Sequence, residues 1–310
     1  MAIVLSGTTG IDMGNTPVSN VKSADSSNDA VTALSTNITV VVGAGQTYTT
    51  INQALDYLSG FYPMYKKSGV TATINLKAGF VMAEQVLVSG IDLGWITIVG
   101  EDAETIITHT ALTTAFYGAN YAAFGVDKGG TSPIIGQLFR FNVEKVGGAK
   151  HGLMTVGAGS SADVLSGKGF IGAGSHGIYA DFASTVNAYG ANCSNAGNTG
   201  IYAINASIIN ANGANCSNAG SSGISAISAS IINANGANCS NAGNSGIYAG
   251  AGSTINAYNT IIQNQTTGTS RIRVIDGSHI EAFGISTTGG SVPVFSQAVN
   301  TLTGHGIIYQ

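Results

Sequence analysis

Charged side chains are scarce in this chain of 310 residues: only 8% are Asp, Glu, Lys or Arg, and the formal net charge is −4. A nucleic-acid interface needs a dense set of Lys and Arg, so this composition argues against a nucleic-acid partner. No apolar run approaches the roughly 18 residues that span a bilayer, so we expect no membrane insertion. The first residues lack a charged segment followed by an apolar core, which leaves classical secretion unsupported.

Cysteine is also rare, with three residues in the whole chain. Cys193, Cys216 and Cys239 recur at one fixed step, and the same position of the repeat holds Phe170 before them and Ile262 after them. A position that accepts Phe, Cys and Ile is buried and apolar, so we expect inert thiols. A disulfide between neighbouring coils is sterically conceivable, but an odd count leaves one thiol over, and no Cys/His spacing typical of metal sites is present. We predict no metal site and no cofactor.

What the chain has in abundance is repetition. The block Gly-Ile-Tyr-Ala begins at Gly177 and returns at Gly200, Gly223 and Gly246, with Ser replacing Tyr in the third copy. Each copy begins the same number of positions after the last, and such a constant period is typical of a stacked solenoid. Each unit is rich in Gly, Asn and Ser and has apolar residues at alternating positions, which favours strands over helices. We predict about three short strands in each coil of a parallel β-helix.

Stacking places equivalent residues of successive coils about 4.8 Å apart, so each position of the repeat becomes a ladder. We expect an inward aliphatic ladder, a small-residue ladder beside it, and a polar ladder at a bend, where asparagine tolerates left-handed backbone angles. The three ladders are Val186, Ile209, Ile232 and Ile255; Ala188, Ala211, Ala234 and Ala257; and Asn195, Asn218, Asn241 and Asn264.

Three segments are distinguished by composition. Residues 1–36 are rich in Ser, Thr, Asn and Asp and are interpreted as an attachment arm or linker without its own core. The β-helix is assigned to residues 37–288, with near-perfect repeats over about 177–264. The period is lost over residues 289–310, which are assigned to a closing element because the last coil of a solenoid must be covered.

A short helix is predicted just after the first strand. Thr50 followed by Gln53 is a capping-box signal. One face of the helix that follows is apolar, comprising Ile51, Ala54, Leu55 and Leu58. Such a helix would cover the open end of the first coil and block edge-to-edge strand pairing.

Residues 48–55, 72–79 and 96–100 read YTTINQAL, ATINLKAG and ITIVG. They resemble the opening coils of pectate-lyase-like β-helices. With the Ser- and Asn-rich arm and the Gly-Ile-Tyr-Ala repeats, the chain resembles bacteriophage tailspike and tail-fibre proteins. The fold expected is all-β: a right-handed, single-stranded parallel β-helix of roughly ten coils at about 4.8 Å each, with a short N-terminal capping α-helix.

The resemblance also implies a location and partners. It implies an extracellular homotrimer in the virion, at the phage tail, that contacts other tail or baseplate proteins through its N-terminal arm. It further implies that the β-helix meets a bacterial surface polysaccharide. Folds of this kind host hydrolases, lyases and plain adhesins, so function must be argued from sites.

Tyrosines are the candidate glycan-binding residues. Rings beside Asn and Ser offer stacking surface and neutral hydrogen bonds, which suit sugar rings. Packing between subunits explains the same residues, and both interpretations require exposure on the isolated monomer. The set is Tyr179, Tyr202 and Tyr248, in one column interrupted by Ser225, with Tyr189 and Tyr258 one strand further on.

A first group of charged or titratable residues is a weak candidate for catalysis. Glycoside hydrolysis generally needs two carboxylates about 5 to 9.5 Å apart, and no such pair recurs along the repeat. The group comprises Asp163, Asp181, His151 and His176. The two histidines are separated by about one coil of chain, which predicts the same bend on successive coils. Solvated turn residues are the alternative interpretation.

A second group lies on the late coils, where the outer face is otherwise neutral. A lyase needs a cation to neutralise a uronate and a base to remove the α-proton, and this group contains both. A salt-bridged patch between subunits explains it equally well. The group comprises Arg271, Arg273, Asp276, His279 and Glu281.

The leading hypothesis from the sequence is a tail fibre or tailspike that attaches to a bacterial surface polysaccharide. A polysaccharide depolymerase, either a hydrolase or a lyase, is the first alternative, and the near-absence of charge on the repeats counts against it. A bacterial surface adhesin and a purely structural tail or baseplate component are the others.

Overall fold

The computed structural model describes residues 37–61, 69–265 and 271–288, together with the backbone of two further strands at 295–297 and 307–309. The predicted arm, residues 1–36, lies outside the described residues. The protein is mostly β, with parallel sheets stacked into a solenoid of about 8 turns, which confirms the predicted parallel β-helix. Its right-handed sense stays a prediction. There are fewer turns than the ten expected because the early coils are longer than the later repeats: Val86 pairs with Phe124, whereas Ile201 pairs with Ile224.

Within the described ranges, one α-helix and one short 3-10 helix accompany the strands. These are α1 (Ile51–Ser59) and η1 (His109–Ala111). The strands are, in chain order, β1 (Ile38–Val42), β2 (Ala72–Leu76), β3 (Val81–Met82), β4 (Val86–Ser89), β5 (Ile96–Gly100), β6 (Thr105–Ile107), β7 (Tyr121–Asp127), β8 (Ile134–Ile135), β9 (Leu138–Phe141), β10 (Lys150–Val156), β11 (Ser161–Asp163), β12 (Gly169–Ile171), β13 (Ile178–Asp181), β14 (Thr185–Asn187), β15 (Ile201–Ala203), β16 (Ile208–Asn210), β17 (Ile224–Ile227), β18 (Ile231–Asn233), β19 (Ile247–Gly250), β20 (Thr254–Asn256), β21 (Ile272–Val274), β22 (His279–Glu281), β23 (Phe295–Gln297) and β24 (Ile307–Tyr309).

The strands stack into faces that run along the solenoid axis. The nine-stranded sheet has the order β23-β21-β19-β17-β15-β13-β10-β7-β4. The seven-stranded sheet has the order β11-β14-β16-β18-β20-β22-β24 and follows a four-stranded sheet, β1-β2-β5-β8. Another four-stranded sheet, β12-β9-β6-β3, forms the third face of the early coils.

The third face narrows in the repeats. There it consists of isolated parallel bridges that join Asn192, Asn215, Asn238 and Ile261. The prediction of about three strands per coil is therefore right for the early coils, whereas each repeat has two strands and one bridge. Asparagine at a left-handed backbone angle turns the chain soon after each bridge, as at Asn195 with φ +59°.

The core is a set of ladders, as predicted. All members of the aliphatic and small-residue ladders are at most 3% exposed. Phe124, Phe139 and Phe170 fill the wider early coils, with ring centroids 5.1 to 5.7 Å apart. The three cysteines continue the Phe170 position as buried, free thiols, and burial raises the pKa of Cys193 to about 12. A thiol with so high a pKa stays protonated at neutral pH, and the burial of all three cysteines confirms that their position in the repeat is apolar.

Helix α1 begins as the sequence predicts. The Thr50 hydroxyl accepts a hydrogen bond from the Gln53 backbone N–H, and the Gln53 side chain accepts one from the Thr50 N–H. The four apolar residues of the predicted face are buried, and α1 packs on β1 and β2. The Glu84 carboxylate adds a second cap by accepting from the N–H groups of Ile51 and Asn52.

At the other end of the chain, the described strands continue the stack. β23 pairs in parallel with β21, and β24 pairs with β22. These are the last strands of the nine-stranded and seven-stranded sheets at this end. The remaining residues of the predicted closing element, 289–310, lie outside the described part of the chain.

Candidate functional site

The predicted tyrosine column lies on the outer side of the nine-stranded sheet. Strand pairing places Tyr179 beside Tyr202, Tyr202 beside Ser225, Ser225 beside Tyr248, and Tyr248 beside Arg273. Because the strands are parallel and in register, these side chains leave the sheet in the same direction, one strand spacing apart. The sequence therefore predicted this column correctly, including its interruption at Ser225.

Two histidines join the tyrosines in one aromatic cluster, which comprises His151, His176, Tyr179 and Tyr202. The imidazole rings of His151 and His176 stack at 5.1 Å with an interplanar angle of 15°. His176 also stacks on Tyr202, with 4.7 Å between the ring centroids, and the ring centroids of Tyr179 and Tyr202 are 5.4 Å apart. The two histidines thus occupy equivalent positions on successive coils, as their spacing predicted.

Both histidines are buried rather than solvated. His151 is 2% exposed and His176 is 7% exposed, so the alternative of solvated turn residues is wrong. The Nε2 atom of His151 lies 3.2 Å from the Asn120 side-chain oxygen. Burial lowers the pKa of His176 to about 4 and that of His151 well below its usual value. Both rings are therefore neutral at neutral pH, and they extend the stacking surface without adding charge.

The two candidate carboxylates of the first group do not form a pair. Asp181 is buried at the end of β13, where it accepts hydrogen bonds from the Tyr179 hydroxyl at 2.9 Å and the Asn205 amide at 2.8 Å. Asp163 lies on the seven-stranded sheet, opposite Asn187. Asp181 thus orients Tyr179, and burial, together with this carboxylate, raises the pKa of that phenol. This geometry gives no two-carboxylate arrangement for glycoside hydrolysis.

A gap interrupts the aromatic column at Ser225. Tyr202 and Tyr248 flank this position on neighbouring strands, so their backbones lie two strand spacings apart, or about 9.6 Å. A ring held between two aromatic faces needs about 3.5 Å on each side, which is about 7 Å in total. We call this gap the Ser225 slot. Its backbone spacing matches one six-membered ring between the two tyrosines.

A cavity of about 290 Å³ occupies the slot. Its walls supply hydroxyl and amide groups beside the two phenol rings, a combination that offers both stacking and neutral hydrogen bonding. The lining residues include no Asp or Glu. They are His176, Asn198, Thr199, Tyr202, Ser221, Ser222, Ser225, Ile227, Asn244, Ser245, Tyr248 and Arg273.

The second group of candidate catalytic residues divides between two faces. Arg271 is buried at 7% exposure, not directed into solvent, and Arg273 lies over the Tyr248 ring, 5.2 Å from its centroid. His279 and Glu281 lie on the seven-stranded sheet, with 4.0 Å between the His279 Nε2 and Glu281 Oε1 atoms. Asp276 is exposed in the turn between these faces, at φ +55°. The compact charge cluster expected of a lyase is therefore not formed by these five residues.

The remaining candidate tyrosines also follow the seven-stranded face. Tyr189 is 57% exposed, and Tyr258 donates a hydrogen bond from its hydroxyl to Glu281 at 2.7 Å. Asn212 and Asn235 occupy the two coils between them, joined by a hydrogen bond from the Asn235 N–H. Neither tyrosine lines the slot, so the five candidates belong to two surfaces.

No protein-family model matches this chain. A comparison with curated proteins also finds no match. Over the described ranges there is no group of three or more His, Cys, Asp or Glu side chains that could hold a metal ion. Within the same ranges, no helix is both long enough and apolar enough to cross a bilayer.

Sequence reasoning missed two features of the site. It placed the histidines apart from the tyrosines, because the stacking of His176 on Tyr202 joins residues of adjacent coils that are distant along the chain. It also treated Ser225 as a simple interruption. The signal was present in the repeat: Thr199, Ser222 and Ser245 take the position of His176 in later coils. These small side chains leave the space that the cavity occupies.

Proposed function

We propose that this protein binds a bacterial surface polysaccharide through the outer side of its nine-stranded sheet, as an adhesive fibre or spike. The observation that carries the proposal is the Ser225 slot, a gap in the aromatic column between Tyr202 and Tyr248 that contains a cavity of about 290 Å³. Sugar rings present flat apolar faces and peripheral hydroxyls, and they are complementary to aromatic stacking surfaces rimmed by hydroxyl and amide groups.

The chemistry of the lining supports binding rather than cleavage. The cavity contains no carboxylate, and its one imidazole, His176, is held neutral and stacked against Tyr202. The nearby carboxylate of Asp181 is engaged by Tyr179 and Asn205. General acid and base groups of a hydrolase must reach the glycosidic oxygen, and these residues give no such pair.

The remaining parts of the proposal rest on the resemblance to phage tail proteins. We place the protein at a phage tail as a homotrimer attached through residues 1–36. Light scattering of the purified protein should give a mass of three chains, and a monomeric mass would overturn this part.

The binding proposal is tested by filling the slot. Ser225→Tyr should preserve the fold because tyrosine occupies the same column on both neighbouring strands. The new ring would take the place of the sugar and abolish retention on the polysaccharide. Ile231→Thr is the matched control. Ile231 lies on the seven-stranded sheet and does not line the slot, and threonine already occupies the paired position on the next strand, Thr254.

The assay is retention of a panel of purified bacterial capsular and lipopolysaccharide glycans by the immobilised protein, followed by mass spectrometry of the glycans. We expect an intact polymer retained by the wild type and by Ile231→Thr, and lost with Ser225→Tyr. Discrete oligosaccharides would instead establish a depolymerase. Equal retention by Ser225→Tyr would exclude the slot as the binding site, and no retention by the wild type would leave a structural role.

A further inference from the structure

We infer that the Ser225 slot selects a carboxylated sugar, an inference that rests on the proposed glycan binding. The inference is based on the position of Arg273. It follows Tyr248 in the same column and borders the same cavity. A glycan that places one ring between Tyr202 and Tyr248 therefore brings its next substituent to a guanidinium group.

The charge around the slot is unbalanced. Arg273 is the only lining residue that is charged at neutral pH, because burial keeps His176 neutral. Among the described residues no carboxylate forms an ion pair with Arg273, and its recorded contact is with the face of Tyr248. A guanidinium on an aromatic ring keeps its N–H groups at the ring edge available to an acceptor. The slot thus offers one unmatched positive charge beside a stacking site.

The magnitude of that charge favours a carboxylate. A carboxylate carries one negative charge and matches the two-pronged geometry of a guanidinium. A phosphate monoester carries about −1.5 to −2 at neutral pH and would remain partly uncompensated in a lining that is otherwise neutral. The ligand class that fits both the gap and the charge is a pyranose ring bearing a carboxylate, on the bound ring or on the residue beside it.

Arg273→Tyr is the decisive variant. It removes the positive charge and installs the residue found at the same position in the adjacent strand, Tyr248, so that the fold and the slot are preserved. Arg273→Gln serves as a second variant that removes the charge without adding a ring. Ser225→Tyr supplies the blocked slot, and Ile231→Thr is the control on the other face.

The probes are sodium glucuronate against glucose, and sodium galacturonate against galactose, measured by saturation-transfer NMR titration of the full chain. The wild type and Ile231→Thr should bind the acidic member of at least one pair about tenfold more tightly, as expected for one charge-assisted contact. Both Arg273 variants should reduce that affinity to the level of the neutral sugar. Added salt should weaken binding of the acid and leave the neutral sugar unaffected.

The contrary outcomes separate the two proposals. Equal affinity for acidic and neutral sugars, or an acid preference that survives in both Arg273 variants, would overturn the carboxylate inference and leave glycan binding intact. If no sugar of either pair gave more saturation transfer with the wild type than with Ser225→Tyr, both the inference and the proposed use of the slot would be overturned.

Discussion

At the scale of single residues, His176, which stacks on Tyr202, shows how burial determines protonation. The two rings lie 4.7 Å apart in the column, and the imidazole is almost fully enclosed. Desolvation disfavours the charged form, so the pKa of His176 falls to about 4 from an ordinary 6.5. Because its pKa is lower in the folded state, His176 binds fewer protons in the folded than in the unfolded protein at pH values below about 6.5.

This difference predicts a loss of stability in acid. Stability is unaffected above the unfolded pKa, falls as pH drops from about 6.5 toward 4, and then levels off for this residue. The free energy of unfolding at about pH 4.5 should be lower by about 2 to 3 kcal/mol through His176 alone. His176→Thr, which copies Thr199 of the next coil, should flatten this part of the profile. Urea unfolding at several pH values measures it, and an unchanged slope in the variant would contradict the assignment.

At the scale of local elements, the corner that follows β13, β15, β17, β19 and β21 of the nine-stranded face has an unusual backbone. Two successive residues there adopt left-handed angles, as at Asn205 with φ +53° and Ala206 with φ +63°. Alanine pays a steric cost of roughly 1 kcal/mol in this conformation, and glycine does not. In the equivalent corner of a later coil the second residue is Gly252, at φ +73°.

Replacement of alanine by glycine is predicted to change the free energy of unfolding in opposite directions at two nearby sites. Ala206→Gly should leave the free energy of unfolding unchanged or raise it by up to about 1 kcal/mol, because it relieves the left-handed alanine. Ala203→Gly, at the end of β15 and fully buried, should lower it by about 1 to 2 kcal/mol through lost burial and greater chain entropy. Thermal and denaturant unfolding of the two variants compares them directly. Destabilisation of equal size at both sites would refute the argument from backbone conformation.

At the scale of the whole molecule, the exact repeat means that a coil can be removed without changing the register of those that remain. Each coil contacts only its neighbours, so stability should decrease by one repeat and one interface while the fold persists. Deletion of residues 223–245 joins Ser222 to Gly246 and places Tyr202 beside Tyr248. Deletion of residues 200–222 removes a segment of the same length but keeps Ser225, now between Tyr179 and Tyr248.

The two deletions therefore separate the slot from the length of the solenoid. Both proteins should give the circular dichroism spectrum of a β-helix and a slightly lower melting temperature. Glycan retention should be lost with the first deletion, which closes the gap, and should remain measurable with the second. Loss of retention in both, with intact folds, would mean that solenoid length rather than the gap determines binding.

Much of this architecture could be predicted from the sequence because the repeat is a local pattern written many times. The inward position of Ile209, the left-handed turn at Asn218 and the cap at Thr50 each follow from a few neighbouring residues. The tyrosine column was equally readable, since a fixed period aligns Tyr202 with Tyr248. The third face was overestimated in the repeats, where a single bridge replaces a strand.

The sequence by itself determined the solenoid, its ladders and the gap in its aromatic column, because equal spacing forces equivalent residues into register. Only the tertiary structure decided which of these residues meet. It divided Arg273 from Glu281 onto two faces, buried His176 against Tyr202, and explained the repeated glycine by placing a Cβ at Gly200 only 2.7 Å from the Cys216 Cβ. Such contacts join successive turns through space, and their distances and burial are set by how the coils pack.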